Sequence, residues 1–342
     1  MNNPIISVLL PVYNCSEYIK ESVESILNQT FSDFEILIID DSSTDGTYEF
    51  LQTLTDSRIR LISKSKNTGY TNSLNIGIEI AKGEYIARMD GDDICLPERF
   101  EKQINFLKKN EDYVLCGTWF KIFGNESARI IENPVSDVEI KLALLEYCSI
   151  GHPTVMIRNS VLKNNNIYYD IEMEPAEDFD LWVRLSPLGK FANLPEVHLN
   201  YRDHEKQISN TAFEIQRNNA NKCRIKMLCL HVSNLPENSE IPEIILNIKP
   251  ISNFNTLLEI LYWRENIIYN EGPEKNKIEI ILNTNIQKAV LYYFANRKKW
   301  DYIILKEYFY VKKIIPIFSS LPDKTKFLIK CLSFYKLQNI KK

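Results

Sequence analysis

Apolar strands alternate with amphipathic helices across the first 95 residues, and this alternation constrains the fold more than any other feature of the sequence. Short apolar runs, partly β-branched, lie at residues 5–10, 34–39, 59–62 and 85–89. Helical spacing of apolar residues separates them, and Ser16 is predicted to cap the first helix. Strands joined by helices predict right-handed crossovers. The expected fold is therefore α/β, Rossmann-like, with a mostly parallel sheet flanked by helices.

The polar residues of this half follow the ends of the predicted strands. Pro11, Tyr13 and Asn14 come after the first strand, Asp41 after the second, and residues 90–93 after the fourth. Ligands of parallel α/β sheets bind outside the carboxyl ends of the strands. Because the residues that follow these three strands lie at the same edge of the sheet, they predict a single ligand site.

Residues 90–93 read Asp-Gly-Asp-Asp and carry three carboxylates within four positions. Like charges at this density favour a shared cation, and oxygen ligands favour Mg²⁺ or Mn²⁺ completed by substrate phosphates. The alternative is a solvated acidic turn or a helix cap. The chain has no GxGxxG after the first strand and no GxxxxGK[ST] anywhere. A metal is therefore expected to neutralise the diphosphate that those loops would otherwise bind.

The pattern changes along the chain. A helix is predicted at 99–109, strands at 113–123 and 152–157, and a further helix within 174–185. After about residue 215, long amphipathic stretches at 241–261 and 278–294 carry no further acidic strand ends. We therefore expect an α/β domain over 1–215 and a smaller, mostly helical region over 216–342.

Cysteine usage and hydropathy indicate a reducing compartment. The seven cysteines are odd in number and none forms a CxxC pair, which favours free thiols over a disulfide framework. The first residues lack the basic and apolar regions of a signal peptide. Apolar residues 5–12 are too few for a membrane span. These features predict a cytoplasmic protein.

The last part of the chain is strongly basic. Residues 297–342 contain 12 lysines and arginines against 3 aspartates and glutamates, whereas the whole chain has a formal net charge of −4. Lysines mixed with aromatic and aliphatic residues are compatible with peripheral contact with an anionic membrane at its inner face. A helical region with a basic solvated face is the alternative. Nucleic acid is not expected as a partner, since the rest of the chain is acidic and shows no binding motif.

Five stretches in order along the chain resemble glycosyltransferase family 2, whose members are inverting enzymes with the GT-A fold. The matching stretches are SVLLPVYN at 7–14, SILNQTF at 25–31, IDDSSTDGT at 39–47, GEYIARMDGDD at 83–93 and AEDFDLW at 176–182. The resemblance covers about residues 5–210 and is typical of enzymes that build bacterial surface glycans, capsule or lipopolysaccharide.

The resemblance implies a donor site for a nucleotide sugar at the first three strand ends. Pro11, Tyr13 and Asp41 would hold the nucleobase, with Asp41 accepting from a ring N–H and Tyr13 packing on the ring. Asn14 is assigned to the same site. Asn67, in the turn after the third strand, would lie near the nucleoside.

The diphosphate side of the donor site is expected around the fourth strand. Arg88 is assigned to the donor, Asp90 would approach the ribose, and Asp92 would bind the metal. Asp93 would assist the metal or cap the next helix. His204 would supply a further metal ligand or lie in a surface loop, and nearby Arg202 could offset phosphate charge.

The pair Glu177-Asp178 resembles the catalytic pair of the family. An inverting transfer needs one carboxylate to deprotonate the acceptor hydroxyl, and we assign Asp178 to that role. The alternative is a helix N-terminus with acidic residues in its first turn. His152 is expected near the acceptor cleft or in a structural role, and Trp182 in the core rather than stacked on a sugar.

The sequence thus predicts transfer of a hexose or N-acetylhexosamine from a UDP-sugar to a hydroxyl of a growing, lipid-linked glycan. A dTDP or GDP donor is the second choice. One alternative is a sugar-phosphate nucleotidyltransferase, which would normally show a Gly- and Lys/Arg-rich phosphate loop that residues 11–15 lack. The other is a non-catalytic sugar- or partner-binding module that retains the fold.

Overall fold

The structure is a computed structural model that describes residues 3–125, 127–204, 213–235, 240–246 and 249–295. The chain divides into two compact units, Met1–Met227 and Leu228–Lys342. The predicted division at residue 215 stays a prediction. The basic segment 297–342 lies outside the described residues.

The first unit is built on one sheet of nine described strands, in the order β3-β2-β1-β4-β8-β6-β9-β5, with β7 paired to β6. Their bounds are β1 Ile6–Val12, β2 Phe34–Asp40, β3 Ile59–Ser63, β4 Tyr85–Arg88, β5 Ile94–Cys95, β6 Tyr113–Gly124, β7 Arg129–Ile131, β8 Met156–Arg158 and β9 Lys190–Asp203. Strands β1 to β4 are mutually parallel, and so are β6 and β9. The predicted parallel α/β core is confirmed, and antiparallel β8 joins its two parts.

Helices cover both faces of the sheet. Those described in this unit are α1 Ile19–Leu27, α2 Thr47–Gln52, α3 Tyr70–Ile80, α4 Arg99–Lys109, α5 Asp137–Ala143, α6 Asn159–Asn164 and α7 Glu177–Leu185, and α8 Phe213–His231 runs past the boundary between the units. Every residue of β1 and β2 is buried, as expected for parallel strands covered on both sides. At Gly77 of α3, an added Cβ would lie 2.8 Å from Leu9 Cδ2, so this glycine permits close helix–sheet packing.

Two local predictions were wrong. Helix α1 begins at Ile19 without a side-chain cap, and the Ser16 N–H instead donates to Asp45 Oδ2 at 3.0 Å. The stretch predicted as a strand at 152–157 opens with the 3₁₀ turn His152–Thr154, and only Met156–Arg158 forms strand β8. Proline in that turn has no N–H to donate to a neighbouring strand.

The second unit is helical in its described residues, as predicted. It contains α9 Glu240–Ile245, α10 Phe254–Glu265 and α11 Lys275–Ala295. The single stretch predicted at 241–261 is divided, because Asn253 caps α10 by accepting the Thr256 N–H at 3.0 Å. No helix within the described ranges is both long and apolar enough to cross a membrane.

Candidate functional site

A cleft of about 510 Å³ opens at the carboxyl ends of β1, β2 and β4, where the sequence predicts the ligand site. Most of the predicted site residues line it, namely Pro11, Tyr13, Asn14, Asp41, Arg88, Asp90, Asp92, Asp178 and His204. The predicted residues Asn67 and Asp93 are not among its lining residues. Parallel strand ends thus bring distant parts of the chain to one surface, and α7 adds Asp178.

Asp41 directly follows the last residue of β2, and both its backbone and its carboxylate are held by polar contacts. Its N–H donates to the Val12 carbonyl at 2.9 Å, which ties it to the end of β1. Its Oδ1 lies 2.6 Å from Lys64 Nζ and accepts the Thr68 N–H at 2.9 Å. Tyr13 lines the cleft and is 49% exposed, so its side chain is accessible to a ligand. Sequence reasoning missed Lys64.

The two amide side chains assigned to the donor site, those of Asn14 and Asn67, accept hydrogen bonds from backbone N–H groups of loops. Asn14 adopts a left-handed backbone with φ 48°, and its Oδ1 accepts the Thr44 N–H at 2.8 Å. Asn67 Oδ1 accepts the Gly69 N–H at 3.1 Å at the start of α3. Of these two residues only Asn14 lines the cleft, and direct donor contacts by Asn14 and Asn67 stay predictions.

Three carboxylates gather after β4. Oxygens of Asp90, Asp92 and Asp93 lie within 4.8 Å of one another. Asp90 forms an ion pair with buried Arg88, and Asp92 Oδ2 lies 3.0 Å from His204 Nε2. Carboxylate oxygens suit Mn²⁺ or Mg²⁺, and an imidazole nitrogen beside them is a ligand that Mn²⁺ accepts more readily than Mg²⁺. Asp92 and His204, which both line the cleft, therefore fit the predicted metal.

Asp93 differs from the other two acids because it is fully buried. Its Oδ1 accepts the Arg202 N–H at 2.9 Å, whereas its Oδ2 has no hydrogen-bond partner among the described residues. Burial, reinforced by Asp90 and Asp92, raises the pKa of the Asp93 carboxyl well above its usual range. The alternative role as a helix cap was wrong, since α4 begins at Arg99 after Glu98. A metal role for Asp93 stays a prediction.

Asp178 lies in the first turn of α7 and faces the cleft. Its Oδ1 accepts the Phe179 N–H at 2.7 Å, and the Cys148 thiol donates to Oδ2 at 3.5 Å. Ala176 is the N-cap residue, so Asp178 is not the cap itself. Burial raises the pKa of the Asp178 carboxyl, against the lowering effect of the Phe179 N–H. A raised pKa favours a carboxylate that accepts a proton during turnover.

Glu177 belongs to a buried polar cluster beside this carboxylate. The Tyr70 hydroxyl donates to its Oε2 at 2.5 Å, and its Oε1 lies 3.5 Å from His152 Nδ1. His152 Nε2 lies 2.9 Å from the Tyr169 hydroxyl. Burial, then the charge of Asp178, raises the pKa of Glu177 to about 8, and burial lowers the pKa of His152 well below its usual range. Both shifts favour the uncharged forms of Glu177 and His152.

Sequence reasoning missed Tyr70, Tyr169 and Cys148, which lie outside any recognisable motif. Trp182 is fully buried, so its predicted core position is confirmed. Arg202 pairs with Glu21 Oε2 at 2.5 Å, and its predicted role toward phosphate stays a prediction.

The comparisons with known proteins agree with the resemblance. Residues 7–163 match the family described as Glycosyl transferase family 2. An uncharacterized glycosyltransferase of Haemophilus influenzae is 34% identical over 273 residues, covering 76% of this chain and 81% of that protein. The UDP-Glc:alpha-D-GlcNAc-diphosphoundecaprenol beta-1,3-glucosyltransferase WfaP of Escherichia coli is 33% identical over 212 residues, covering 61% of this chain and 82% of the enzyme.

Solved structures give the same fold. Residues 1–349 of TarS from S. aureus, in complex with UDP-GlcNAc, superpose with a TM-score of 0.57 at 16% identity. The match covers 88% of this chain and 94% of that chain. The predicted GT-A architecture with a helical C-terminal region is therefore confirmed. The family match and the long alignments to glycosyltransferases together show that this chain is a transferase enzyme that belongs to glycosyltransferase family 2.

Proposed function

We propose that this enzyme transfers a hexose or N-acetylhexosamine from a UDP-sugar to a hydroxyl of a growing, lipid-linked glycan, with inversion at the anomeric carbon. One observation carries the proposal: Asp41, the Asp92–His204 pair and Asp178 all line the same cleft. They supply a hydrogen-bond acceptor, a metal-binding pair and a base, which are the three functions that such a transfer requires.

The nucleobase would lie between the ends of β1 and β2. Tyr13 offers an aromatic face, and Asp41 offers a carboxylate oxygen to a ring N–H. Pro11, a buried residue of β1 that lines the same cleft, would pack against the base. Uracil fits this pattern because its edge presents one N–H between two carbonyl oxygens.

The diphosphate would lie beside Asp90, Asp92 and His204. Asp92 and His204 would hold Mn²⁺ or Mg²⁺, with Asp93 close behind them. When bound, such a cation supplies positive charge to the diphosphate, which stabilises the leaving nucleotide. Arg88 neutralises Asp90, so the carboxylates do not simply repel an anionic donor.

Asp178 would take the proton from the acceptor oxygen as that oxygen attacks the anomeric carbon. A single displacement from the face opposite the leaving UDP inverts the configuration at that carbon. The Phe179 N–H and the Cys148 thiol hold the carboxylate in one orientation. Since the leaving group departs as a charge-stabilised diphosphate, no second acid is needed.

The donor and acceptor classes are supported by relatives. The names of WfaP and of a second E. coli enzyme, WfgD, specify UDP-Glc as donor and a diphosphoundecaprenol-linked GlcNAc as acceptor. A lipid-linked acceptor would give the basic segment 297–342 a purpose at the inner face of the membrane. Deleting residues after Trp300 should then abolish co-sedimentation with anionic vesicles and leave UDP binding intact.

A donor screen tests the proposal. Release of UDP, GDP or dTDP from a panel of sugar nucleotides would be measured with a GlcNAc-diphosphate lipid acceptor, with and without Mn²⁺. We expect metal-dependent release of UDP. Metal-independent release, or release of GDP alone, would contradict the proposal.

A further inference from the structure

We propose that Lys64 is a positioning residue that locks the Asp41 carboxylate and so makes the site select nucleobases that present an N–H donor. The inference rests on the proposed function, in which Asp41 contacts the base. It assigns a role in donor specificity to a side chain behind the cleft wall.

The sheet places Lys64 beside Asp41. Parallel strands β2 and β3 pair Asp40 with Ser63, so the next residue of each strand end, Asp41 and Lys64, are neighbours. The Lys64 N–H donates to the Asp40 carbonyl at 2.9 Å, which fixes its backbone. Its side chain is 10% exposed and that of Asp41 is 3% exposed.

Lys64 connects two elements of the cleft wall. Its Nζ lies 2.6 Å from Asp41 Oδ1 and 3.0 Å from the Ser73 hydroxyl on α3. Because burying two charges carries a desolvation cost, such a pair is weak grounds for a stabilising role. Its clearer consequence is a fixed geometry for the carboxylate.

The two oxygens of Asp41 are not equivalent. Oδ1 already receives Lys64 Nζ and the Thr68 N–H, whereas Oδ2 has no hydrogen-bond partner among the described residues. Because Asp41 lines the cleft, Oδ2 is the atom available to a ligand. The carboxylate therefore offers one acceptor in one direction.

A fixed acceptor discriminates between uracil and cytosine, which have rings of equal size. Uracil presents N3–H to the carboxylate. Cytosine presents a bare N3 with a lone pair, and its donor is the amine one position away. A carboxylate held by Lys64 and the Thr68 N–H cannot shift to reach that amine, so cytosine leaves a buried acceptor unpaired.

Isothermal titration of UDP and CDP in the presence of Mn²⁺ tests the inference. We expect the wild type to prefer UDP by about 100-fold, and Lys64→Met to reduce that ratio by about 10-fold. Lys66→Met removes an exposed lysine two residues away and should leave the ratio unchanged. Lys64→Gln, which keeps a donor, should lose less than Lys64→Met.

The Asp41→Asn variant gives a readout that a purely structural role would not move. Lys64 and the Thr68 N–H should orient the amide with its oxygen inward and its NH₂ toward the cleft. That NH₂ can donate to cytosine N3, so the preference should turn toward CDP. This change in nucleotide preference should be smaller in the Lys64→Met, Asp41→Asn double variant, because the amide is then free to flip.

The outcomes separate this inference from the proposed function. A wild type that binds no UDP would overturn the proposed function, whereas one that binds UDP and CDP equally would overturn only the inference. A wild type that prefers UDP, together with a folded Lys64→Met variant of unchanged ratio, would overturn only the inference. If Asp41→Asn has the same ratio of CDP to UDP affinity with and without Lys64→Met, the inference would also be overturned.

Discussion

One side of the cleft, the donor side, carries Asp41, Asp90 and Asp92, and the other, the base side, carries Glu177 and Asp178. The carboxylates of the two sides have different kinds of neighbours. On the donor side, Asp41 pairs with Lys64, Asp90 pairs with Arg88, and Asp92 contacts His204. On the base side, the side chains that contact the Glu177 carboxyl among the described residues are the Tyr70 hydroxyl and the His152 ring. Two carboxylates of the donor side are therefore paired with a lysine or an arginine, whereas the Glu177 carboxyl group lies among uncharged groups.

The difference matches the work assigned to each side. A carboxylate paired with a cation can offer its negative charge to a ligand or metal at a lower desolvation cost, although burial still raises the pKa of Asp90. A buried carboxylate without a contacting cation has a raised pKa, as Asp178 and Glu177 do. Such a group can take up a proton during turnover. The comparison predicts that substitutions on the donor side weaken binding and that loss of Asp178 slows the chemical step.

The largest expected effect is on the base side. Asp178→Asn should lower kcat by about 1,000-fold, because an amide cannot accept the proton of the acceptor hydroxyl. UDP release in the presence of acceptor measures the loss. Glu172→Gln, which removes an exposed carboxylate nearby, is the control and should turn over like the wild type. Turnover of Asp178→Asn within threefold of the wild type would show that another residue is the base.

A smaller effect is expected on the donor side. His204→Ala removes the imidazole beside Asp92. Because the metal then loses roughly one charge-assisted contact, the Mn²⁺ concentration for half-maximal activity should rise about 10-fold. At saturating Mn²⁺, kcat should recover. A variant with the wild-type Mn²⁺ requirement but a lower kcat would place His204 in the chemical step and break the comparison.

Glu177→Gln separates the two adjacent carboxylates. The folded protein raises the pKa of Glu177 from 4.5 to about 8, so between these values the folded state holds a proton that the unfolded state has released. The stability of the wild type should therefore fall as pH rises through this window. Glutamine has no charge to desolvate, so its advantage in Tm should grow from pH 5 to pH 8 and reach about 4 °C.

Thermal melts of both proteins across this pH range measure the difference. The variant should also keep most of its turnover at pH 7, because the raised pKa of Glu177 already favours its uncharged form. A Tm difference that does not change with pH would contradict the assignment of the proton to Glu177.

The smallest effect tests the packing behind the metal site. At Gly91, an added Cβ would lie 3.0 Å from Cys15 Sγ and 3.1 Å from Val12 Cγ1. Gly91→Ala should therefore cost about 1 kcal/mol by overpacking. Cys15→Ala in the same chain should restore part of that loss in a thermal melt. Strictly additive losses from the two substitutions would show that this contact is not the cause.

The donor side could largely be predicted from the sequence. Continuous apolar runs identify buried parallel strands, and the ends of such strands share one edge. That rule alone places Tyr13, Asp41 and Asp92 together. Lys64 also follows a strand end, but its place beside Asp41 could be deduced only once the register of β2 and β3 was known.

The base side could not be predicted in the same way. Asp178 was identified only through the family resemblance, because acidic residues in a first helical turn are common. Tyr70, His152 and Cys148 come from a helix start, a 3₁₀ turn and a loop. They become neighbours of α7 through tertiary packing that no periodicity encodes, and the raised pKa of Glu177 depends first on its burial and then on the charge of Asp178.

The central claim is that donor binding and the chemical step belong to different carboxylates of one cleft. Titrating UDP, with and without Mn²⁺, into the wild type, Asp178→Asn and Asp92→Asn tests it most directly. We predict equal, metal-dependent affinity for the wild type and Asp178→Asn, and loss of the metal dependence in Asp92→Asn. Loss of UDP binding in a folded Asp178→Asn variant, or unchanged metal dependence in Asp92→Asn, would contradict the account.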